Sequence, residues 1–372
     1  AHVACAGPSR PSFPETTATA RPTPTQSNIS PTTFSPQTKP IPSPTSAKIE
    51  SPRHPLQAWH LAADGAVYIL DAAYSLYHLS PADLSPLAKS DLLFIASIDT
   101  PSFLLVDDSQ IFVGSRADRQ TLILNRDDFS LIDSLNQAGP MALDIAGQRL
   151  FLVPERDHGN ALNGSFVVYD LSDLNSPLLT YELSCQQPND FAIQPFMHHL
   201  YVRTLGICAS PPHQRETFVI YDLDTLTEVA QSDPQLGRLS RPAVANRAGT
   251  FFTTLYAKSG QFSDNSLLLL DSLGQLRNAH PALDGIPALS PDNTWLYLLR
   301  ERGLWVFSAD DMLLKSILFF DQSPPADLAV SPNGDTLYLF GNGWLSTLST
   351  VDLQNLGIPS LSPFPAAWRR PT

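Results

Sequence analysis

The sequence predicts an all-β protein: a seven-bladed β-propeller of four-stranded antiparallel blades, preceded by a disordered stalk. Three observations carry that expectation. From residue 56 onward, short apolar runs alternate with Asp, Asn, Gly, Ser and Pro, and almost nothing shows sustained helical spacing. Two strand and turn signatures recur at intervals of roughly 40–50 residues, the length of one propeller blade. Residues 1–55 differ from the rest, with 12 Pro, 9 Thr and 8 Ser. They lack the periodic apolar residues that offset the entropy of ordering a backbone, so this stretch reads as an unfolded, partly polyproline-like linker.

The first signature is an apolar strand that ends on an acidic or polar turn. Its clearest copies are Phe166–Leu174 (FVVYDLSDL) and Phe218–Leu226 (FVIYDLDTL). Looser copies begin at Leu76, Leu122, Leu267, Leu304 and Trp344. The Asp or its substitute stands where a hairpin must reverse, because its side chain satisfies turn amides. The second signature lies upstream of these copies: an apolar strand, a tight turn, then an aromatic-rich strand. Ala329–Leu339 (AVSPNGDTLYL) is the best example, followed by Leu289–Leu298, Leu61–Ile69, Leu143–Leu152 and Val244–Phe252. Asn-Gly and Asp-Gly supply the positive-φ positions that short hairpins need.

Together the signatures divide 56–357 into seven units, at about 56–92, 93–136, 137–184, 185–233, 234–283, 284–320 and 321–357, with a tail at 358–372. Six or eight blades are the alternatives. The outer strand of the last unit comes either from about Leu353–Leu361, which contains Pro359, or from Ala47–Ser51 at the other end of the chain. At this point the chain resembles the YVTN-type and lactonase-like seven-bladed propellers over nearly all of 56–357, through the Ser-Pro-Asx-Gly turn and the apolar strand ending in Asp. The Trp-Asp and Gly-His signatures of WD-repeat proteins are absent. The resemblance implies the fold and says almost nothing about function.

Charge narrows the partners. The formal net charge is −13, and because the stalk holds five basic residues against two acidic ones, the body carries −16. Such a surface repels phosphate backbones and anionic bilayers, so nucleic acid is not an expected partner, and a membrane is expected only through a lipid anchor. No window reaches the roughly 18 apolar residues of a membrane-spanning helix.

The chain opens Ala1-His2-Val3-Ala4-Cys5-Ala6-Gly7. Val3-Ala4-Cys5-Ala6 resembles the bacterial lipoprotein processing box, although His2 stands where an aliphatic residue is usual. The resemblance implies lipidation of Cys5 and an extracytoplasmic protein, at the cell surface or in the periplasm. Ordinary signal cleavage near Ala4 or Ala6, with secretion, and an unremarkable cysteine are the alternatives. There are three cysteines. If Cys5 is the anchor, Cys185 and Cys208 remain. Both map to one face of the same blade, so a disulfide is geometrically plausible, worth roughly 3 kcal/mol in the chain-entropy model; two unpaired cysteines are the alternative.

Candidate site residues come from three loops longer than a hairpin needs, at 154–164, 204–216 and 258–265. Glu155, Arg156, Asp157 and His158 on the first, with His213 and Arg215 on the second, form the best polar cluster. The plain alternative is a solvated insertion, and the mixed-sign run lacks the spacing of preformed metal ligands. His198 and His199 open a strand and face opposite ways, which suits turn or core packing. Nucleophile elbows, phosphate loops and Cys-x-x-Cys pairs are missing, so no catalytic residue, metal or cofactor is assigned. The expected function is a monomeric binding module for a protein, glycan or small-molecule ligand. The alternative is a lactonase- or lyase-type enzyme with its site at the central channel; a quinone-dependent oxidoreductase is disfavoured by the lack of a tryptophan-docking repeat.

Overall fold

Successive side chains of a strand point to opposite faces of its sheet, so a strand apolar at every position must be covered on both sides. A ring of stacked sheets provides that cover, and this chain builds one. The computed structural model describes residues 56–90, 102–154, 163–194, 197–206, 216–232, 244–245, 251–255, 266–281, 283, 285–300, 303–320, 325–341 and 344–355. The stalk and the Ala47–Ser51 alternative for the last outer strand lie outside them.

Seven antiparallel sheets follow one another, each a meander in chain order. Blade 1 is β1 (Leu56–Leu61), β2 (Val67–Asp71), β3 (Leu76–Leu79) and β4 (Pro86–Lys89). Blade 2 is β5 (Ser102–Val106), β6 (Gln110–Ser115), β7 (Gln120–Asn125) and β8 (Leu131–Leu135). Blade 3 is β9 (Met141–Asp144), β10 (Arg149–Leu152), β11 (Asn163–Asp170) and β12 (Leu179–Ser184). Blade 4 is β13 (Gln186–Gln194), β14 (His199–Gly206), β15 (Glu216–Asp222) and β16 (Glu228–Gln231). Blade 5 is β17 (Val244–Ala245), β18 (Phe251–Leu255), β19 (Ser266–Leu270) and β20 (Leu276–Pro281). Blade 6 is β21 (Ile286–Leu289), β22 (Trp295–Arg300), β23 (Gly303–Ser308) and β24 (Leu314–Phe319). Blade 7 is β25 (Asp327–Val330), β26 (Thr336–Gly341) and β27 (Trp344–Ser349), followed by the short helix α1 (Thr350–Asn355). First strands touch one another from blade to blade, as β1 does β5 and β5 does β9, so they form the inner wall of the ring.

Seven apolar clusters fill the seven interfaces between neighbouring blades. Val67 and Ile69 of β2 face blade 7, where they meet Tyr338, Phe340 and Leu345, whereas Tyr68 and Leu70 face Leu104, Val106 and Ile111 of blade 2. The same alternation continues round the ring, and the cluster shared by blades 7 and 1 closes it. Each second strand carries one fully buried aromatic: Tyr68, Phe112, Phe151, Tyr201, Phe252, Tyr297 and Tyr338. In every case it belongs to the cluster shared with the following blade. The tyrosine hydroxyls also bond forward. Tyr68 Oη accepts from Arg126 Nε at 2.9 Å, Tyr201 Oη donates to the Ser272 carbonyl at 3.1 Å, and Tyr338 Oη donates to the Pro81 carbonyl at 3.4 Å. Those three partners stand in turns between a third and a fourth strand, so in blades 1, 4 and 7 a buried phenol ties the blade to the outer turn of the next.

Blade 7 departs from the sequence expectation. Residues 353–355, expected to begin an outer strand, belong to α1 instead. Ser349 Oγ accepts the Asp352 amide at 3.3 Å, Thr350 Oγ1 donates to the Gly334 carbonyl at 2.7 Å, and Leu353 is buried between blades 6 and 7. A serine that caps the first turn, and an apolar side chain one helical turn later with a pocket to fill, outweigh strand formation here. Gln354 Nε2 donates to Tyr297 Oη at 3.3 Å, so α1 takes the place that an outer turn takes elsewhere.

Candidate functional site

First strands begin, and second strands end, on the same face of the ring. There the inner wall opens into a cavity of about 670 Å³, within the size range of small-molecule sites. Its apolar lining includes Leu104, Leu105 and Met141, with three aromatic residues, Trp59, Phe103 and Phe340. Among the described residues its polar lining is Gln57, Asn189, Asp190 and Asp327.

Two of those four polar residues are there because their strands are irregular. The β1–β2 register shifts between Leu56 and Ala58, and the β13–β14 register shifts between Pro188 and Asp190. Gln57 and Asn189 are the extra residues at these bulges. A bulge re-aims a side chain that strict alternation would send between the blades, and both amides line the cavity. Asp190 follows directly, and its Oδ1 accepts the Phe191 amide at 2.9 Å. Asp327 opens β25; its Oδ1 accepts the Leu328 amide at 3.0 Å and its Oδ2 accepts from Trp59 Nε1 at 3.1 Å. Trp59 lies flat on Phe340, with ring centroids 5.6 Å apart and an interplanar angle of 7°. The pair spans the junction of blades 1 and 7 and forms one wall of the cavity. Gly341 is required beside it, since a Cβ at that position would fall 2.1 Å from the Trp344 ring.

The cavity is thus an aromatic and aliphatic cup. Carboxylates stand on blades 4 and 7, three blades apart in a ring of seven, and two amides join them among the described residues. Behind it, Arg116 lies over the Phe103 ring at 5.8 Å, and Arg203 Nη1 is 3.8 Å from Glu216 Oε2 at the base of the second long loop. Among the described residues, no three His, Cys, Asp or Glu side chains converge at metal-binding distance.

Glu155, Arg156, Asp157, His158, His213 and Arg215 all lie outside the described residues. Their loops connect β10 to β11 and β14 to β15, and so leave from the face on which the cavity opens. Cys5 and Cys208 also lie outside. Cys185, the single residue between β12 and β13, has a φ of 58° and is disulfide-bonded. His198 is an exposed turn residue with a φ of 50°, its Nδ1 3.6 Å from Asp224 Oδ2. His199 packs edge-on to Tyr201, and burial lowers its pKa. Both histidines sit at the opposite end of the blade from the cavity. The residues that do line it carry weak sequence signals: Pro188-Asn189-Asp190 is a turn-like triplet set inside a strand, and Gln57 is an unremarkable polar residue.

No family model matches the chain, and no curated protein matches it by sequence. Solved structures do match in shape. One is the hydrazine synthase of Kuenenia stuttgartiensis, with a TM-score of 0.62 at 12% identity, covering 85% of this chain and 99% of that one. Another is the Cps50 (Swd1) β-propeller domain of Myceliophteria thermophila, with a TM-score of 0.61 at 10% identity, covering 83% and 100%. At such identities the likeness is one of fold, and the fold of this chain is a seven-bladed β-propeller.

Proposed function

We propose that this protein is an extracytoplasmic, tethered binding module whose ligand site is the cavity at the mouth of the propeller channel. The observation that carries the reading is the lining itself: mostly apolar and aromatic walls with a few convergent polar groups, the usual composition of a small-molecule site. The long second-to-third-strand loops of blades 3 to 5 leave from the same face and supply further contact surface. Ala326 is an exposed residue of the rim, so Ala326→Trp narrows the mouth without disturbing the core. Compounds that raise the melting temperature of the native protein in a screen of amines, lactones, glycans and quinones are expected to lose that effect in Ala326→Trp, whose own melting temperature stays unchanged. Equal stabilisation of both proteins removes the cavity as the site.

Two features support the location. A Pro/Thr/Ser-rich segment suits a surface spacer, and a disulfide at Cys185 suits an oxidising compartment. In this reading Cys5 carries the lipid and Cys208 is the disulfide partner. Fatty-acyl labelling of the full-length protein is expected to disappear in Cys5→Ala, with release of the body into the soluble fraction; labelling that survives the substitution removes the anchor.

A further inference from the structure

We propose that the junction of blades 1 and 2 is an acid-sensitive latch under the channel-mouth cavity: protonation of His60 parts β1 from β5 and loosens the wall they form. The inference rests on reading that cavity as a ligand site and deepens it by giving the site a regulator. Gln57, Ala58 and Trp59 of β1 and Phe103, Leu104 and Leu105 of β5 line the cavity. His60 and Val106 are the next residues of those two strands, and the His60 side chain hydrogen-bonds the Val106 backbone. One side-chain bond therefore joins the strands at the foot of their shared wall. The ring itself does not call for a histidine at this point. In four other blades the residue opposite the buried aromatic of the second strand is an alanine: Ala142, Ala192, Ala288 and Ala329. In blade 1 it is His60, opposite Tyr68.

The groups packed around His60 leave little room for a second positive charge. Tyr68 of β2 stacks on His78 of β3, with ring centroids 4.7 Å apart, and carries the Arg126 guanidinium 5.6 Å above its ring. Arg126, from the outer turn of blade 2, also donates to Tyr68 Oη and to the Asp107 carbonyl, and pairs with Asp64 in the β1–β2 turn. The Asp107 carboxylate accepts the Ser109 and Gln110 amides of its own turn. A proton on His60 thus adds a cation beside a guanidinium, while the Asp64 and Asp107 carboxylates already serve other groups. Part of the His60 surface stays accessible, which gives the proton a route. Burial and the Arg126 charge lower the pKa of His60 to about 4. His78 is lowered by the same two causes, with Asp64 offsetting part of the effect. Once the junction opens, His60 meets water and titrates near 6.5. At pH 7 neither form is substantially protonated, whereas at pH 5 the open form is protonated and the closed form is not. The open population therefore rises roughly twentyfold from pH 7 to pH 5.

The test needs no ligand. Backbone hydrogen exchange of the full-length protein, corrected for its intrinsic pH dependence, is followed between pH 7 and pH 5 by mass spectrometry. NMR follows the Trp59 indole N–H, which donates to Asp327 at the cavity wall. Exchange of β1, β5 and that indole is expected to rise by about tenfold or more, while β22 and β23 of blade 6 change little. His60→Gln keeps a side-chain N–H for the Val106 backbone but takes no charge, and is expected to abolish most of the rise. NMR titration of the His60 ring in the native protein gives a readout that does not depend on how the variant folds: the ring is expected to titrate well below pH 6. A ring that titrates near pH 6.5 overturns the latch. So does a rise in exchange that persists in folded His60→Gln, or one that spreads evenly over all seven blades. Each of these outcomes leaves the cavity reading standing, because Ala326→Trp decides that separately.

Discussion

His60 stands opposite Tyr68 in the β1–β2 pair and hydrogen-bonds the Val106 backbone in the neighbouring blade. Burial, reinforced by the nearby Arg126 charge, outweighs that bond and pushes its pKa down to about 4. An unfolded histidine titrates near 6.5. Between those two values the unfolded chain therefore binds more protons than the folded one, and stability rises with pH across the window. The contribution is fully present above about pH 6.5 and is lost as pH falls towards 4, by up to about 3 kcal/mol. His78 and His199 are also lowered by burial and act in the same direction. Turn carboxylates such as Asp292, held down by hydrogen bonds from Ser290 and Thr294, lose their contribution only below the ordinary carboxylate range. Denaturant titrations between pH 4 and 7 are expected to show a clearly smaller pH slope for His60→Gln than for the native chain. An unchanged slope would show that His60 is not held neutral by the fold.

At the scale of the element, the two signatures were legible because each is a local chemical necessity. The apolar strand ending in a polar turn falls on third strands, and the strand–turn–aromatic-strand falls on the first-to-second connections. In the Ser-Pro-Asx turns, Ser290 Oγ and Ser331 Oγ each accept an amide five residues on, at 2.9 Å, while Asn293 and Gly334 take the positive-φ position. The same strings held a further regularity that is plain only once the packing is seen. Leu84, Phe129, Leu226 and Met312 each lie four residues after a turn-opening Ser, Asn or Asp, and all have φ between 53° and 59°. Left-handed backbone costs a leucine about 1–2 kcal/mol, yet Leu84 and Leu226 are buried between blades, where burial contributes about 1.5–3 kcal/mol, and Phe129 and Met312 pack half-buried against clusters of the same kind. Packing therefore outweighs backbone strain at Leu84 and Leu226. The cavity was far less legible. Its amides reach the channel through one-residue bulges, and nothing in the alternation of residues 56–61 or 186–194 announces an extra residue. At the end of blade 7, Val351 and Leu353 would share one face of a strand, whereas in the capped helix Val351 is exposed and Leu353 buried, a difference that two apolar residue types alone do not announce.

For the whole molecule the question is how the ring is held shut. A closed propeller exposes few sheet edges, and the junction between the first and last blades is its weakest seam. Here that seam contains the cluster around Val67, Ile69, Tyr338 and Phe340, the Trp59–Asp327 hydrogen bond and the Tyr338 bond to Pro81. β27 is buried in the manner of a third strand, with Leu345 and Ser346 enclosed, so blade 7 has room for a fourth strand outside it. α1 turns the chain away immediately after β27, which leaves the segment before β1 as the better source. In the other blades the chain passes from outermost to next innermost strand in as few as one residue (β12 to β13), five (β8 to β9) or seven (β24 to β25). The four residues between Ser51 and Leu56 fall within that range, so a strand at Ala47–Ser51 would enter β1 by an ordinary blade-to-blade connection. Five residues of pairing along an exposed edge are worth a few kcal/mol, or roughly 5 °C or more in melting temperature. Removing residues 1–55 is expected to lower the melting temperature by that amount, whereas removing 1–42 or 358–372 leaves it nearly unchanged. Loss of stability on trimming 358–372 instead would assign closure to the other end of the chain. The channel-mouth site would follow the same ranking, because Trp59 and Asp327 meet across this seam and a loosened seam parts them.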